Sequence, residues 1–232
     1  MKIMSFNTQH CLNHLEKRID YEIMARTIND LGADVVGLQE MFSDGEGAKY
    51  GNQTKILADV AGFEHYYFAK AILDADGPYG NAIISKIPFK SVETIRIPDP
   101  VNKRAGGWYE TRCVLRAVLE NGLTILATHF GLEPDEKENA LKVVLSLIED
   151  KNCILLGDFN LEPDSEIIGK ISEKMIDTAR LFDKPLLSWP SDAPRVKIDY
   201  IFTSHDINAR SADIPNIVAS DHRPYIVEIE DL

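Results

Sequence analysis

Eight polar side chains suited to metal and acid–base chemistry fall in six short motifs spread along the chain. These are Ser5-Phe6-Asn7, Leu38-Gln39-Glu40, Thr128-His129, Gly157-Asp158-Phe159-Asn160, Ile198-Asp199-Tyr200 and Ser220-Asp221-His222-Arg223-Pro224. Together they supply three aspartates, one glutamate, two asparagines and two histidines. Carboxylate and amide oxygens suit a hard divalent cation. Histidines beside carboxylates suit proton transfer and charge stabilisation at an anionic ester. The set describes a phosphoesterase site. Each motif has a plainer reading when taken alone: Asp158 with Asn160 is also an Asx turn, and a Thr-His pair on an apolar strand is also a core histidine.

The elements that must position these residues can be read from the apolar runs before them. Ile3 to Phe6, Val35 to Leu38, Leu123 to Ala127 and Cys153 to Leu156 are strand-like, and each stops where a motif begins. In a layered α/β fold, strand ends converge on one crevice, so residues distant in sequence can meet there. The pattern predicts a strand over 1–6, a helix over 18–31 closed by Gly32, and a strand over 34–40 that delivers Glu40. A glycine-rich loop over 41–51 and a helix over 52–61 come next. Strands are expected over 64–70, 80–86, 90–97, 111–119 and 122–129, then a helix over 135–149. Shorter strands over 153–157, 198–203, 207–213 and 223–229, with a helix over 165–171, complete the reading. The β-rich middle argues against a plainly alternating order. Two mixed sheets packed face to face with helices outside fit better, in one domain over 1–232 without internal sequence repeats.

Composition narrows the field. Net charge is −12, which argues against a broad basic face for long duplex DNA. It leaves a phosphate substrate open, because a bound Mg²⁺ reverses the local field. No apolar stretch approaches the roughly 20 residues that span a bilayer. Lys2 runs directly into a strand without a secretory h-region, and Cys11, Cys113 and Cys153 lack metal-ligand spacing. Reduced thiols and a cytoplasmic location are the expectation.

In this order and spacing the six motifs resemble the endonuclease/exonuclease/phosphatase superfamily. That superfamily includes DNase I-like nucleases, exonuclease III-like abasic endonucleases, neutral sphingomyelinases and inositol-polyphosphate phosphatases. Gly157-Asp158-Phe159-Asn160 followed by Ser220-Asp221-His222-Arg223-Pro224 carries most of the specificity, and the resemblance runs from Met1 to about Glu230. It implies a four-layer α/β sandwich of the DNase I-like kind. It also implies a Mg²⁺ or Mn²⁺ held by Glu40 with Asn7 and Asp221, and a water oriented or deprotonated by Asp158. Asn160 would assist at that water or at a second metal. Asp199 would keep His222 protonated against a phosphate oxygen, and His129 would stabilise or protonate the leaving group. Asn81 and Arg112 are expected behind these residues or beside the phosphate. His10, His14, His65 and His205 match no motif and are read as structural or surface residues.

Substrate choice is less legible. Abasic endonucleases of the superfamily carry a tyrosine where this chain has His129 and an asparagine where it has Leu132. The chain therefore looks closer to the DNase I and sphingomyelinase branch. Gly51-Asn52-Gln53 and Tyr79-Gly80-Asn81-Ala82-Ile83-Ile84-Ser85 are similar to small bacterial metal-dependent hydrolases. Lys103, Arg104, Trp108 and Tyr109, and separately Trp189, could stack on a base or sugar, or simply be exposed aromatics. The expected function is Mg²⁺-dependent hydrolysis of a phosphate mono- or diester, with a small molecule or single-stranded nucleic acid as partner. No membrane or protein partner is implied. A DNA or RNA nuclease and an inert scaffold of the same fold are the alternatives.

Overall fold

The computed structural model describes residues 1–230. In chain order its strands are β1 (Lys2–Asn7), β2 (Leu12–Asn13), β3 (Arg18–Ile19), β4 (Val35–Phe42), β5 (His65–Asp74), β6 (Gly77–Ser85), β7 (Phe89–Arg96), β8 (Cys113–Leu119), β9 (Thr124–His129), β10 (Cys153–Asp158), β11 (Ile176–Asp177), β12 (Asp199–Thr203), β13 (Ala209–Asp213) and β14 (Tyr225–Ile229). The helices are α1 (Tyr21–Leu31), α2 (Gln53–Ala61), α3 (Pro134–Leu147) and α4 (Glu166–Ser172). None of these helices is long and apolar enough to cross a membrane.

Alternation along the strands sorts side chains into layers. Ile3, Val35, Ile83, Leu115, Ile154 and Leu156 point into a shared core between two sheets. Met4, Phe6, Val36 and Leu38 point the other way, against Met24 and Ile28 of α1 and Leu57 of α2. On the far side Leu126, Leu155 and Phe202 meet Leu141 and Val144 of α3 and Ile171 of α4. Strands buried on both faces explain the nearly unbroken apolar runs. The result is helix–sheet–sheet–helix, the expected four-layer α/β sandwich. At Gly37 the sheets come so close that a Cβ would sit 2.2 Å from Cδ1 of Leu156.

Strand order in one sheet is β13-β14-β1-β4-β6-β5, and in the other β11-β12-β10-β9-β8-β7. Each has one parallel pair at its centre, β1 with β4 and β9 with β10. Parallel neighbours need a crossover, and α1 and α3 supply it. The order β1-β4-β6-β5 recurs as β9-β10-β12-β11, so a topology repeats although the sequence does not.

Helix α1 begins later than the predicted residue 18. Residues 12–19 instead form a two-stranded hairpin, β2 with β3, and Asp20 caps the helix by accepting the Ile23 N–H at 3.1 Å. The helix stops at Gly32, whose φ of 71° is the left-handed conformation of a C-cap. Strands β5 and β6 also run further than expected, to Asp74 and from Gly77.

Candidate active site

The C-terminal ends of both parallel pairs carry chemistry. Asp158, the last residue of β10, lies in register between His129 of β9 and Asp199 of β12. Gly157 makes this possible: its φ is 150°, and a Cβ there would fall 1.9 Å from the Thr128 carbonyl oxygen. In the other sheet Asn7 ends β1, and Glu40 sits where the β4–β6 pairing slips between Leu38 and Met41. Glu40 has a φ of 61°, uncommon for a residue with a side chain and typical of a bulge that re-aims one. Asp221 and His222 come from the loop before β14.

These ends meet in a crevice of about 480 Å³ lined by Glu40, Asp158, Asn160, His129, His222 and Asp221, with Arg112 among them. Asn7 Nδ2 donates to Glu40 Oε1 at 2.9 Å and to Asp158 Oδ2 at 3.1 Å, tying one sheet to the other. His222 Nδ1 lies 2.9 Å from Asp199 Oδ2, while its Nε2 faces Asp158 Oδ2 at 3.6 Å. His129 Nε2 faces the same Asp158 oxygen at 3.5 Å. Behind it, Arg112 Nη1 lies 3.2 Å from His129 Nδ1, and Arg112 Nη2 pairs with Glu110 Oε2 at 2.7 Å.

Burial governs the protonation states. It raises the Asp158 carboxyl, against the pull of cationic His222. Burial also raises Glu40; Asn7's hydrogen bond opposes this and nearby Asp221 adds to it. For His222 burial acts downward, but Asp199 and Asp158 more than reverse it, so the ring is cationic at neutral pH. His129 falls well below the usual range through burial, Arg112 and His222. One crevice thus holds a charged and a neutral histidine, set apart by their neighbours.

The donor set fits a hard divalent cation. Glu40 and Asp221 line one crevice, and Asp221 raises the Glu40 carboxyl, a repulsion that a cation between them relieves. Asn7, expected among the oxygen ligands, turns its amide nitrogen toward Glu40 and Asp158, while its Oδ1 accepts the Gln9 N–H at 3.1 Å. In this arrangement it orients Glu40. Asp158, Asp199 and His222 also bring one ligand atom each within 4.8 Å of one another. There the His222–Asp199 hydrogen bond occupies the ring nitrogen, and a cationic imidazole offers no lone pair to a metal.

Asn81, expected near the site, is buried and donates to the Cys113 carbonyl at 3.0 Å, bracing the strand that follows Arg112. Trp189 lines the crevice, with Leu132 and Val196 as further apolar wall. Trp108 does not; it is 65% exposed on a loop that Arg104 ties to Glu133. Tyr79, which opens the stretch Tyr79 to Ser85 noted in the sequence, also lines the crevice, as do Glu110 and Val196; none of the three had been assigned a role. Lys197, two residues before Asp199, lies outside the crevice lining and is buried. Its Nζ stands 3.1 Å from the centre of the Tyr200 ring and 3.7 Å from Asp177 Oδ2, without a hydrogen bond, and burial pulls it down to about 8.

The model of the Endonuclease/Exonuclease/phosphatase family matches residues 4–222. The chain belongs to that family. Its members are hydrolases acting on phosphate esters. No curated protein matches the sequence. Among solved structures, an endonuclease/exonuclease/phosphatase from Beutenbergia cavernae superposes with a TM-score of 0.79 at 20% identity, over 99% of this chain and 71% of that one. A mannosyl-6-phosphatase from Bacteroides thetaiotaomicron gives 0.78 at 17%, over 99% of each chain. The human Nocturnin catalytic domain with bound sulfate gives 0.74 at 19%, over 100% of this chain and 93% of that one. At such identities the likeness establishes a shared fold, and a shared fold does not fix a substrate.

Proposed function

We propose that this family member is a Mg²⁺- or Mn²⁺-dependent phosphoesterase that hydrolyses a small phosphate ester by in-line attack of water. The observation that carries this reading is the convergence on Asp158 of two histidines and Asn7, one crevice wall away from the Glu40–Asp221 pair. Glu40 and Asp221 would hold the cation, with Asn7 fixing Glu40. When bound, the cation would supply charge neutralisation at the phosphate and a polarised water.

Asp158, its proton affinity raised by burial, is suited to accept the proton of the attacking water near neutral pH. Asn160 follows it on a turn closed by its own N–H to Asp158 Oδ1 at 2.9 Å, which holds that carboxylate in place. Cationic His222 would donate Nε2–H to a phosphoryl oxygen, and Asp199 keeps the ring charged. The crevice admits a ligand of small-molecule size, and Trp189, Leu132 and Val196 offer it an apolar flank. Net charge of −12 favours a small ester over a long polyanion. We read 1–232 as one domain, and three free, buried cysteines fit a reducing cytoplasm.

A screen with p-nitrophenyl phosphate, bis-p-nitrophenyl phosphate, sugar phosphates and single-stranded RNA, with Mg²⁺ or Mn²⁺, tests the reading. Turnover should vanish in excess chelator and return with the metal. Full activity in chelator, or no turnover on any ester, overturns it.

A further inference from the structure

His129 and His222 address the same oxygen of Asp158, at 3.5 and 3.6 Å, but their other ring nitrogens meet opposite partners. Nδ1 of His222 meets a carboxylate, Asp199 Oδ2, at 2.9 Å. Nδ1 of His129 meets a guanidinium, Arg112 Nη1, at 3.2 Å. A guanidinium has only donors and keeps its charge at any ordinary pH. The contact is therefore a hydrogen bond only if Nδ1 of His129 carries a lone pair. A neutral imidazole with its lone pair at Nδ1 has its proton at Nε2.

Nε2 meets two neighbours: Asp158 Oδ2, an acceptor, faces it at 3.5 Å, and Asn160 Nδ2 lies 3.2 Å away with one N–H left after donating to the Phe130 carbonyl at 3.0 Å. The charged donor of Arg112 at Nδ1 outweighs that neutral amide, because a charge-assisted hydrogen bond is the stronger of the two. Arg112 is itself held fast, 8% exposed and paired with Glu110 at 2.7 Å. Where the ring sits also matters. His129 stands beside Asp158, the carboxylate proposed above to activate water, which would put its ring on the attacking side of a bound phosphate.

We propose that Arg112 is a positioning residue that locks His129 as the neutral Nε2–H tautomer, making His129 a fixed hydrogen-bond donor to a phosphoryl oxygen and not the acid of the leaving group. The inference rests on the phosphoesterase reading for its kinetic consequence, but not for the tautomer. In the hydrolysis that results, water adds to phosphorus and gives its proton to Asp158. The bond to the leaving oxygen breaks with its electron pair on that oxygen, which takes a proton from solvent. Asp158 then returns its own proton to solvent.

Two measurements decide the matter. Long-range proton–nitrogen NMR of ¹⁵N-histidine-labelled protein, assigned with His129→Gln, should show His129 with a protonated Nε2 and a bare Nδ1. Arg112→Met should release the lock and admit the other tautomer, while Arg112→Lys, still only a donor, should keep it. A bare Nε2, or two protonated nitrogens at neutral pH, overturns the proposal. Should Arg112→Met fail to fold, the wild-type and Arg112→Lys spectra still decide.

In kinetics, His129→Ala should slow an alkyl phosphate ester and a p-nitrophenyl ester by the same factor, about 10²–10³, the loss of one oxyanion donor. His129→Gln, whose amide donates but is no acid, should recover most of that on both esters. A loss concentrated on the alkyl ester restores the general acid and refutes us. If no ester is turned over, the phosphoesterase reading fails by itself, and the spectra alone judge the tautomer.

Discussion

Replacing Lys197 with methionine should stabilise the protein, and the gain should disappear as pH rises. The amine is 5% exposed, lacks a hydrogen bond, and has its nearest carboxylate, Asp177, at 3.7 Å. Burial pulls it from 10.5 to about 8. The unfolded chain therefore binds this proton more tightly than the folded one. The penalty is present in full below about pH 8, and stability recovers as pH climbs from there to the unfolded value near 10.5. At about 1.36 kcal/mol per pH unit, the difference is at most about 3 kcal/mol. Methionine keeps the apolar stem over Tyr200 and drops the charge, and Asp177, at 24% exposure, can turn to water. At pH 7 the variant should melt higher by roughly 6–12 °C for a chain of this size. Thermal and urea unfolding of both proteins from pH 7 to 9.5 would show the gap narrowing. A variant less stable than wild type at pH 7, or a gap that ignores pH, would refute the argument.

Two other substitutions probe the site. Asp199→Asn leaves the shape but removes the larger of the two charges that hold the proton on His222 against burial, so the basic limb of the kcat/KM profile should move to lower pH. Near pH 8 the rate should fall by about 10²–10³; an unmoved limb would break the Asp199–His222 pairing. Gly157→Ala places a methyl against the Thr128 carbonyl and asks alanine for a φ of 150°, so β10 must shift away from β9. We expect a loss of more than about 3 kcal/mol in urea unfolding, with turnover reduced in whatever folded protein remains. Wild-type stability would mean that the strands tolerate what their spacing forbids.

The polar ends of apolar runs were legible because burial on both faces makes a central strand apolar until it reaches the crevice. That is why Asn7, His129 and Asp158 could be placed from sequence, whereas Asp199, which opens β12, was picked out by its motif. What was missed depends on backbone choices that residue type does not announce. Gln9, His10, Cys11 and Lys17 all adopt positive φ, which folds 12–19 into a hairpin where a helix was expected to start. Glu40 is turned by a bulge, not by strand alternation. The walls contributed by Glu110, Leu132 and Val196 lie on loops whose course is set by distant contacts, such as Arg104 with Glu133 and Tyr109 with Asp135. Spacing left open whether Arg112 and Asn81 would stand behind the site residues or beside the phosphate; Arg112 stands behind His129, and Asn81 braces Cys113 next to it.

The recurring strand order gives the site a bilateral form. Asn7 ends β1 as His129 ends β9; Glu40 lies near the end of β4 as Asp158 ends β10; Arg112 precedes β8 as His222 precedes β14. One half contributes Asn7, Glu40, Asp221 and His222, the other His129, Asp158 and Asp199. The crevice lies across the seam, spanned by the hydrogen bond from the Asn7 amide to Asp158. The gap between the halves is set deeper down, where Leu156 presses on Gly37. Those two residues act as a shim, and the thickness of one side chain in the core sets how far apart Glu40 and Asp158 stand.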